Sequence, residues 1–250
     1  MTMTQAETLP HRRQIPTVAI AALCLVLGAA GGWFWQSRHI GTADRAAIET
    51  VVHDYLLEHP EVLPAAMEAL QKKENAKQLS GVRGDVEKAW PGGVLGNPQG
   101  KVTLVEFTDF ACTYCRQSVA DVEALIAANP DLRVVVRQLP IIAPESADAA
   151  RMALAAAEQG KYPAFHRAMF ASGRPNKTSI EAAARAAGLD LDRANRTMAE
   201  GRIEEELARN IDIARQLGFN GTPSWVIGDR LLSGAVGEEK LAKAIAETRG

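Results

Sequence analysis

The feature that most constrains this chain is an apolar run, VTLVEF at residues 102–107, that leads within a few positions to Cys112 and Cys115. The run is apolar at nearly every position, as expected for a strand that is buried on both faces. From Cys112 to Pro130, apolar residues recur at three- and four-residue spacings and predict a helix. A second strand is predicted at residues 132–139, so the two cysteines should open the helix of a β-α-β unit.

The position of the cysteines predicts their chemistry. A helix N-terminus carries about half a positive charge and several unpaired N–H groups, and both stabilise a thiolate. We therefore expect Cys112 to have a lowered pKa and to be the exposed nucleophile. Cys115, one helical turn further along, should face the same side and attack a mixed disulfide formed at Cys112. The pair is thus predicted to be a redox-active disulfide.

Three other interpretations of the cysteine pair stay open. A structural disulfide is one, although so short a loop would constrain the unfolded chain little. Half of a metal site, completed by a second subunit, is another, because two thiols alone cannot supply the four ligands of a common structural zinc site. The third is a pair of buried thiols without a chemical role.

The N-terminal part of the chain predicts the compartment. The residues from Thr17 to Trp35 contain no charged side chain, and they approach the ~20 apolar residues that cross a bilayer. Two arginines precede them, so the positive-inside rule leaves residues 1–16 in the cytoplasm. We predict a single-pass inner-membrane anchor at residues 17–36 and a periplasmic catalytic domain, where disulfides persist. A cleaved signal peptide, which would leave a soluble periplasmic protein, and a buried helix are the alternatives.

A helical stalk is predicted at residues 41–80, between the apolar stretch and the main domain. Within it, an apolar stripe at three- and four-residue spacings is formed by Ile48, Val51, Val52 and Tyr55. A short amphipathic hairpin cannot bury such a stripe by itself. The stripe must therefore pack on the main domain or on further copies of the chain. Of these two hypotheses, self-association into a homo-oligomer is favoured.

A Thr-Pro pair far along the chain completes the pattern. Thr222 and Pro223 precede two short predicted strands, residues 224–227 and 230–233, which form a hairpin. A strand, a C-x-x-C motif that opens a helix, a Thr-Pro before a hairpin and a terminal helix together resemble the thioredoxin fold. The resemblance implies that Pro223 is cis and faces the active-site sulfurs. It also implies that the backbone of Thr222 pairs with an extended substrate beside Cys112.

A long helical stretch, at about residues 145–218, interrupts this unit between the second strand and the hairpin. Such an insertion is similar to that of the DsbA family, and the resemblance covers residues 85–250. The segment DYLLEHPEVL, residues 54–63, resembles the N-terminal segment of the oligomeric DsbA-like proteins called ScsC, several of which are trimeric isomerases. Between the cysteines, Thr113 and Tyr114 differ from the C-P-H-C motif of strongly oxidising members, which leaves the direction of the reaction open.

Glu106 is a carboxylate within the otherwise apolar first strand. Burial without a partner would raise its pKa, because desolvation disfavours the charged form. The resemblance to DsbA-like proteins implies that this glutamate lies beneath the second cysteine, Cys115, where it can move a proton. A glutamate that faces water at the edge of the sheet is the alternative.

Other polar residues carry weaker signals. His53, His59 and His166 are interpreted as surface residues of helices rather than as ligands, and Glu204–Glu206 with Arg209 as a solvated helical face. The formal net charge of -2 and the lack of a long basic stripe give no indication of nucleic-acid binding. Neither a cofactor nor a metal site is predicted.

The sequence thus predicts an α/β protein with a thioredoxin fold that acts as a periplasmic thiol–disulfide oxidoreductase on exported cysteine-containing proteins. Isomerase or reductase activity is favoured, with Cys112, Cys115 and Glu106 as catalytic residues and Thr222 and Pro223 as substrate-binding residues. A membrane redox partner should reset the cysteine pair. A monomeric DsbA-type dithiol oxidase is one alternative, and a periplasmic protein whose thiolates bind copper(I) as soft ligands is another.

Overall fold

A computed structural model describes residues 17–39 and 43–249 of the 250-residue chain. In chain order the helices are α1 (Thr17–His39), α2 (Ala43–Glu58), α3 (Val62–Ser80), α4 (Arg83–Glu87), α5 (Thr113–Ala128), α6 (Ser146–Glu158), α7 (Tyr162–Ala171), α8 (Lys177–Ala186), α9 (Leu191–Met198), α10 (Gly201–Gln216) and α11 (Glu238–Glu247). The strands are β1 (Val94–Gly96), β2 (Val102–Thr108), β3 (Leu132–Gln138), β4 (Ser224–Ile227) and β5 (Arg230–Ser233). The β-α-β unit predicted around the cysteines is confirmed as β2, α5 and β3.

The five strands form one sheet in the order β1-β3-β2-β4-β5. Strands β2 and β3 are parallel and are joined by α5, whereas the other neighbouring pairs are antiparallel. Because Phe107 in β2 pairs with Ser224 in β4, the end of β2 lies beside the start of β4. The segments that carry the two cysteines and the Thr-Pro pair therefore meet at one end of the sheet, as the thioredoxin fold requires.

Both faces of the sheet are buried. Leu104 and Trp225 belong to a large apolar cluster that also contains residues of α5, α6, α7 and α11. Val105 faces the opposite cluster, which includes Leu79 from the end of α3. Side chains alternate between the two faces along a strand, so Glu106 lies on the same face as Leu104, toward α5. This alternation places a carboxylate under the helix that carries the cysteines.

The predicted helical insertion is present as α6 to α10, between β3 and β4. Helix α6 is its centre, with a run of buried residues from Ala149 to Ala157. Most of these are alanines, whose small side chains let neighbouring helices approach closely. The sequence predicts this helical stretch as a whole, whereas the three-residue edge strand β1 and the five-residue helix α4 carry too little periodicity to be recognised from sequence.

The described part of the chain divides into two compact units, with the boundary between Met67 and Glu68. In the first unit, the apolar stripe of α2 formed by Ile48, Val51, Val52 and Tyr55 is exposed. The boundary falls inside α3 and thus inside the predicted stalk, because the C-terminal part of α3 buries Leu79 within the second unit.

The predicted membrane anchor at residues 17–36 is not supported by the structure. Over the part of the chain that the structure describes, no helix is both long enough and apolar enough to cross a bilayer. The predicted cytoplasmic tail, residues 1–16, lies outside the described residues.

Candidate active site

Cys112 and Cys115 lie in the first turn of α5. Cys112 is the N-cap residue, with an extended backbone, and its carbonyl accepts a hydrogen bond from Arg116 N at 3.2 Å. Both cysteines are free thiols. Their placement is as the sequence predicts, but Cys112 is less exposed than expected: 6% of this residue is accessible, and Cys115 is fully buried.

The two thiols have pKa values that are shifted in opposite directions. The pKa of Cys112 is lowered to about 5, first by a hydrogen bond from the side chain of Cys115 and then by Thr222 and nearby backbone N–H groups, against the effect of burial. The pKa of Cys115 is raised, chiefly by burial and by its interaction with Cys112, and the charge of Glu106 raises it further. At neutral pH Cys112 is therefore a thiolate while Cys115 keeps its proton. The direction of the Cys112 shift is as the sequence predicts, but its largest cause is the side chain of Cys115, and the N–H groups of the helix N-terminus contribute less.

The Thr222–Pro223 segment covers the first cysteine. The Thr222–Pro223 peptide bond is cis, as the resemblance implies. When Cys112 is protonated, its Sγ donates a hydrogen bond of 3.2 Å to the carbonyl oxygen of Thr222, and this segment covers the cysteine. Among the described residues the buried hydroxyl of Thr222 has no fixed hydrogen-bond partner, so it is free to turn toward the thiolate.

Glu106 is buried beneath the cysteines, with 2% of its surface exposed, so the solvent-facing alternative is excluded. Its pKa is raised to about 8, chiefly by burial and also by the charge of Cys112. Glu106 in turn raises the pKa of Tyr162 in α7, after the larger effect of burial, so the carboxyl group interacts with both the cysteines and the inserted helices. At neutral pH Glu106 is mostly protonated, with a pKa close enough to neutrality to exchange that proton.

Asp109 is a site residue that the sequence analysis did not single out. Its Oδ1 accepts a hydrogen bond from Ala111 N, and its Oδ2 accepts hydrogen bonds from Ile141 N and Ile142 N, each at 2.8 Å. The side chain therefore ties the turn before Cys112 to the loop that follows β3. A carboxylate directly after a buried strand was the available signal, but its partners lie in a distant segment that the sequence does not connect with it.

His166 lies in the core rather than on the surface, which corrects its interpretation from sequence. It is 3% exposed, and its ring packs against Phe110, Tyr162 and Phe170 at centroid distances of 4.9–6.0 Å. Burial, with a smaller effect of Arg167, lowers the pKa of His166 to about 4, so the ring is neutral. Since Phe110 precedes Cys112 by two positions, this aromatic cluster supports the active-site turn from the side of the inserted helices.

The arrangement can carry out thiol–disulfide exchange. A thiolate at Cys112 is able to attack a disulfide, and a protonated neighbour at Cys115 is held in contact with it. Glu106 is a titratable group between these thiols and the protein interior. Thr222 contacts Cys112 through its carbonyl oxygen, and Pro223 follows Thr222 through the cis bond, so the structure brings the five predicted site residues to one end of the sheet.

Two family models match the chain. The one described as "DSBA-like thioredoxin domain" matches residues 103–246, which is more than half of the chain and includes both cysteines and the Thr-Pro pair. The one described as "Copper resistance protein ScsC N-terminal domain" matches residues 44–77, the region of α2 and α3. Both parts of the resemblance stated from sequence are confirmed.

Solved structures of similar proteins have the same fold. A thioredoxin-like oxidoreductase from Silicibacter pomeroyi is 45% identical, with a TM-score of 0.60, and covers 62% of this chain and 91% of that chain. The thiol-disulfide exchange protein alpha-DsbA2 from Wolbachia pipientis is 27% identical, with a TM-score of 0.66 and coverages of 72% and 98%. ScsC from Proteus mirabilis, in a transitional conformation, is 27% identical, with a TM-score of 0.61 and coverages of 83% and 97%.

Curated relatives include Na(+)/H(+) antiporters named NhaA. NhaA 3 of Salinispora tropica is 32% identical over 155 residues, which are 61% of this chain and 24% of that protein. The chain thus spans about a quarter of the length of the curated relatives that it matches. Most of each antiporter has no counterpart in the match, so the antiport activity in their names is not transferred to this chain.

Proposed function

Because the chain belongs to the family of DSBA-like thioredoxin domains, we propose that it is a thiol–disulfide oxidoreductase that works as a disulfide isomerase or reductase on exported proteins. The observation that carries this proposal is the contrast between a low-pKa thiol at Cys112 and a high-pKa thiol at Cys115 within one helical turn. Such a pair keeps Cys112 as a thiolate, which is the form that attacks a substrate disulfide, and it also makes the oxidised pair more oxidising. The pKa contrast therefore supports thiol–disulfide exchange, and the choice of isomerase or reductase rests on the N-terminal segment.

In the proposed reaction, the Cys112 thiolate attacks one sulfur of a substrate disulfide. A bond forms between Cys112 and that sulfur, the substrate S–S bond breaks, and the departing substrate sulfur takes the electron pair as a thiolate. In isomerisation, another substrate thiolate then attacks the mixed disulfide, forms a new substrate disulfide and restores Cys112. In reduction, Cys115 attacks Cys112 Sγ, which releases the reduced substrate and leaves an oxidised pair.

Reduction requires that Cys115 lose its proton, because only a thiolate attacks. Glu106 is proposed to accept it, since its pKa of about 8 lets it exist in both forms near neutral pH. Glu106→Gln keeps the size of the side chain but cannot accept the proton. We expect this variant to slow release of the mixed disulfide at neutral pH.

Thr222 and Pro223 are proposed to hold the substrate beside Cys112. The thiol of Cys112 donates to the Thr222 carbonyl oxygen in the free dithiol form, and ionisation of that thiol removes this donor. The Thr222 backbone is then available to pair with an extended substrate strand, as in β-strand addition. Placement of the substrate backbone there would bring its cysteine sulfur to Cys112.

We propose isomerase or reductase activity, rather than oxidation, from the features of the N-terminal segment that support self-association. The ScsC N-terminal domain match over residues 44–77 and the exposed stripe of α2 support self-association of the chain. Several reduced active sites in one assembly can act together on a misfolded substrate, whereas an oxidase works as a monomer. We therefore place isomerase or reductase activity before the alternative of a dithiol oxidase.

The proposed location of the catalytic unit is the periplasm. Exchange with the disulfides of exported proteins requires a compartment where disulfides persist, and the uncharged stretch from Thr17 to Trp35 supports export. That stretch is either retained as a single-pass anchor or removed as a signal. The mass of the protein recovered from membrane and periplasmic fractions distinguishes these two outcomes. A retained segment predicts a membrane-bound protein, together with a membrane redox partner that resets the pair.

Reactivation of scrambled ribonuclease tests the proposal. We expect the reduced full-length protein to restore ribonuclease activity catalytically and without added metal, and Cys112→Ala to abolish this activity. Cys24→Ser is the matched control, since it removes the third, exposed cysteine and should have no effect. Oxidation of reduced ribonuclease without reactivation of the scrambled form would instead identify a dithiol oxidase.

Copper(I) binding is the second candidate, and the name of the matched N-terminal domain favours it. Two thiolates on each of several copies would offer soft ligands for copper(I). Stoichiometric copper uptake that depends on Cys112 and Cys115, without ribonuclease turnover, would support binding over catalysis.

A further inference from the structure

Thr108 is a buried polar residue at the end of β2. Its backbone oxygen accepts a hydrogen bond from Leu139 N, but among the described residues its hydroxyl oxygen has no fixed hydrogen-bond partner. A buried hydroxyl without a partner costs free energy, because it has left water and gained no replacement. The Thr108 hydroxyl is therefore available for a contact that forms during the reaction.

The geometry of β2 places this hydroxyl between Glu106 and Cys115. Side chains two positions apart along a strand lie on the same face, so Thr108 faces α5 together with Glu106. Strand β2 ends at Thr108, and α5 starts at Thr113. Cys115 is fully buried in the apolar cluster that contains Leu104 of β2, so its thiol lies between α5 and the sheet. The end of β2 and the first turn of α5 thus bring the three side chains together.

The Thr108 hydroxyl interacts with both of these groups. Burial is the largest cause of the raised pKa values of Glu106 and Cys115, and the hydroxyl of Thr108 acts in the opposite direction on each of them. A hydroxyl lowers the pKa of an acid by donating to its ionised form. Thr108 is therefore within reach of the thiol that must lose a proton and of the carboxyl group proposed to accept it. A hydroxyl can accept and donate at the same time.

Tyr162 in α7 is another titratable group near this face of β2. Gln138, the β3 residue opposite Thr108 in the ladder, donates from Nε2 to the Tyr162 hydroxyl at 3.1 Å. Burial, with a smaller effect of Glu106, raises the pKa of Tyr162, so the phenol stays protonated at neutral pH. Tyr162 therefore does not compete with Glu106 as the acceptor of a proton.

Resting on the proposed function, we propose that Thr108 is a catalytic residue that relays the proton of Cys115 to Glu106 when the mixed disulfide is resolved. The hydroxyl oxygen accepts the thiol proton while the hydroxyl passes its own proton to the Glu106 carboxylate, so the hydroxyl is restored. The electron pair of the S–H bond stays on Cys115 as a thiolate. That thiolate forms a bond with Cys112 Sγ, the bond between Cys112 and the substrate sulfur breaks, and the substrate leaves as a thiolate with the electron pair.

Formation of the mixed disulfide prepares this transfer. In the dithiol form, beyond the effect of burial, the Cys112 thiolate raises the pKa of Glu106 by its charge and the pKa of Cys115 by their contact. The bond between Cys112 and the substrate removes that negative charge. Glu106 then ionises more readily and Cys115 releases its proton more readily, so the relay operates best after a substrate has been bound.

The test follows the reaction of the reduced full-length protein with an excess of the symmetric disulfide of thionitrobenzoate. Attack by Cys112 releases one coloured thiolate, at a rate that depends on the concentration of the reagent. Attack by Cys115 on the resulting mixed disulfide releases the second coloured thiolate, at a rate that does not. All proteins carry Cys24→Ser, because exposed Cys24 would also react. The first phase thus reports on Cys112, and the second phase reports on the step that needs the relay.

Thr108→Val keeps the branched shape of the side chain but removes the hydroxyl. We expect it to slow the second phase about tenfold or more and to leave the first phase unchanged, because only the second phase requires proton transfer from Cys115. Rates are measured at a pH about one unit above the pKa of Glu106, so that its carboxyl is ionised. Thr108→Ser restores a hydroxyl and should restore the second phase. Thr197→Val, the same change at a buried threonine of α9, should leave both phases unchanged.

A double variant separates a relay from a structural effect of Thr108. Glu106→Gln/Thr108→Val should be about as slow in the second phase as Glu106→Gln alone, since a relay without an acceptor transfers nothing. Thr108→Ala, which also lacks the hydroxyl, replaces Thr108→Val in the same comparisons where the valine variant does not fold.

An unchanged second phase in the variants without the Thr108 hydroxyl would overturn the inference. Losses that multiply in the double variant, or a serine variant as slow as the valine variant, would do the same. A second phase that does not respond to Glu106→Gln would overturn the role of Glu106 and the relay with it. Absence of a first phase that depends on Cys112, checked with Cys112→Ala, would overturn the proposed function itself.

Discussion

Cys112 and Cys115 are the same residue type one helical turn apart, yet their surroundings shift their pKa values in opposite directions. The largest contribution to the lowered pKa of Cys112, about 5, is the hydrogen bond from the side chain of Cys115. The contacts with Thr222 and the helix N–H groups act in the same direction. The asymmetry is therefore a property of the pair within its fold rather than of either cysteine in isolation.

We predict that Cys115→Ala raises the pKa of Cys112 by about one unit or more, because the strongest donor to the thiolate is lost while burial stays. Thiolate absorbance as a function of pH, in a Cys24→Ser background, measures this change directly. Thr222→Val should give a smaller rise, since Thr222 is a weaker contributor. A Cys112 thiol that already titrates at an ordinary alkaline pH before any substitution would contradict the prediction.

Glu106 makes the stability of the folded protein depend on pH. In the unfolded chain its pKa is about 4.5, whereas burial raises the folded value to about 8. Between these values the folded state keeps a proton that the unfolded state has released, so the free energy of unfolding falls as pH rises, by up to about 1.4 kcal/mol per pH unit. Below pH 4.5 both states are protonated, and this effect disappears.

We predict that Glu106→Gln becomes more stable than the unsubstituted protein as pH rises from about 4.5 to about 8, because glutamine is never ionised. Denaturant unfolding of both reduced proteins across this range measures the difference. Glu123→Gln, at a more exposed position of α5, is the matched control and should show no such trend. A difference that stays constant over the whole range would mean that Glu106 has an ordinary pKa.

At the scale of secondary-structure elements, a buried arginine joins β3 to two helices. Arg137 is 3% exposed, and its guanidinium donates to the carbonyl oxygens of Val86 and Lys88 beside α4, at 2.9 and 2.6 Å. It also donates to Glu206 Oε1 and Asn210 Oδ1 in α10, at 3.2 and 2.5 Å. The sequence assigns Glu206 to a solvated helical face, and the structure corrects this: the residue is 8% exposed, and burial raises its pKa.

We predict that Arg137→Met destabilises the protein by about 3–5 kcal/mol, because Glu206 and the carbonyl groups near α4 lose their buried donor. Glu206→Gln should cost only about 1 kcal/mol, since Arg137 keeps its other acceptors and the amide oxygen still accepts. Denaturant unfolding measures the stability of both variants. Glu204→Gln, which removes an exposed member of an ion pair in the same helix as Glu206, is the control. Equal losses for Arg137→Met and Glu206→Gln would show that the ion pair alone carries the stabilisation.

The elements that the sequence predicts well are those defined by local pattern. Helix α5 and the β4–β5 hairpin follow from spacing and turn residues, and the cysteines fall where those patterns place them. By contrast, Asp109, His166 and Glu206 acquire their roles from partners in distant segments, so their surroundings are absent from local sequence. The low exposure of Cys112 has the same origin, because the covering segment around Thr222 is brought to it only by the sheet.

At the scale of the whole molecule, the apolar stripe of α2 is an exposed apolar surface of the N-terminal unit. Ile48, Val51, Val52 and Tyr55 are each at least half exposed, and they lie at the spacing of one helix face. A helix pair of this length has little stability of its own, because most helix stability comes from packing of an amphipathic face. Association with other copies of the chain would bury the stripe.

We predict that Val51→Glu/Tyr55→Glu lowers the oligomer mass of the full-length protein to that of a monomer, because two charges per copy cannot be buried without partners. Light scattering with correction for bound detergent measures the mass.

Reactivation of scrambled ribonuclease per active site should then fall, whereas the rate of reaction of Cys112 with a small disulfide should not change. Thr50→Glu, an exposed position on the opposite face of α2, is the matched control and should keep the assembly. If the double variant were a monomer but still reactivated scrambled ribonuclease at the same rate, each active site would work alone, and the isomerase proposal would lose its structural basis. An unchanged oligomer mass would instead show that the stripe is not the contact between copies.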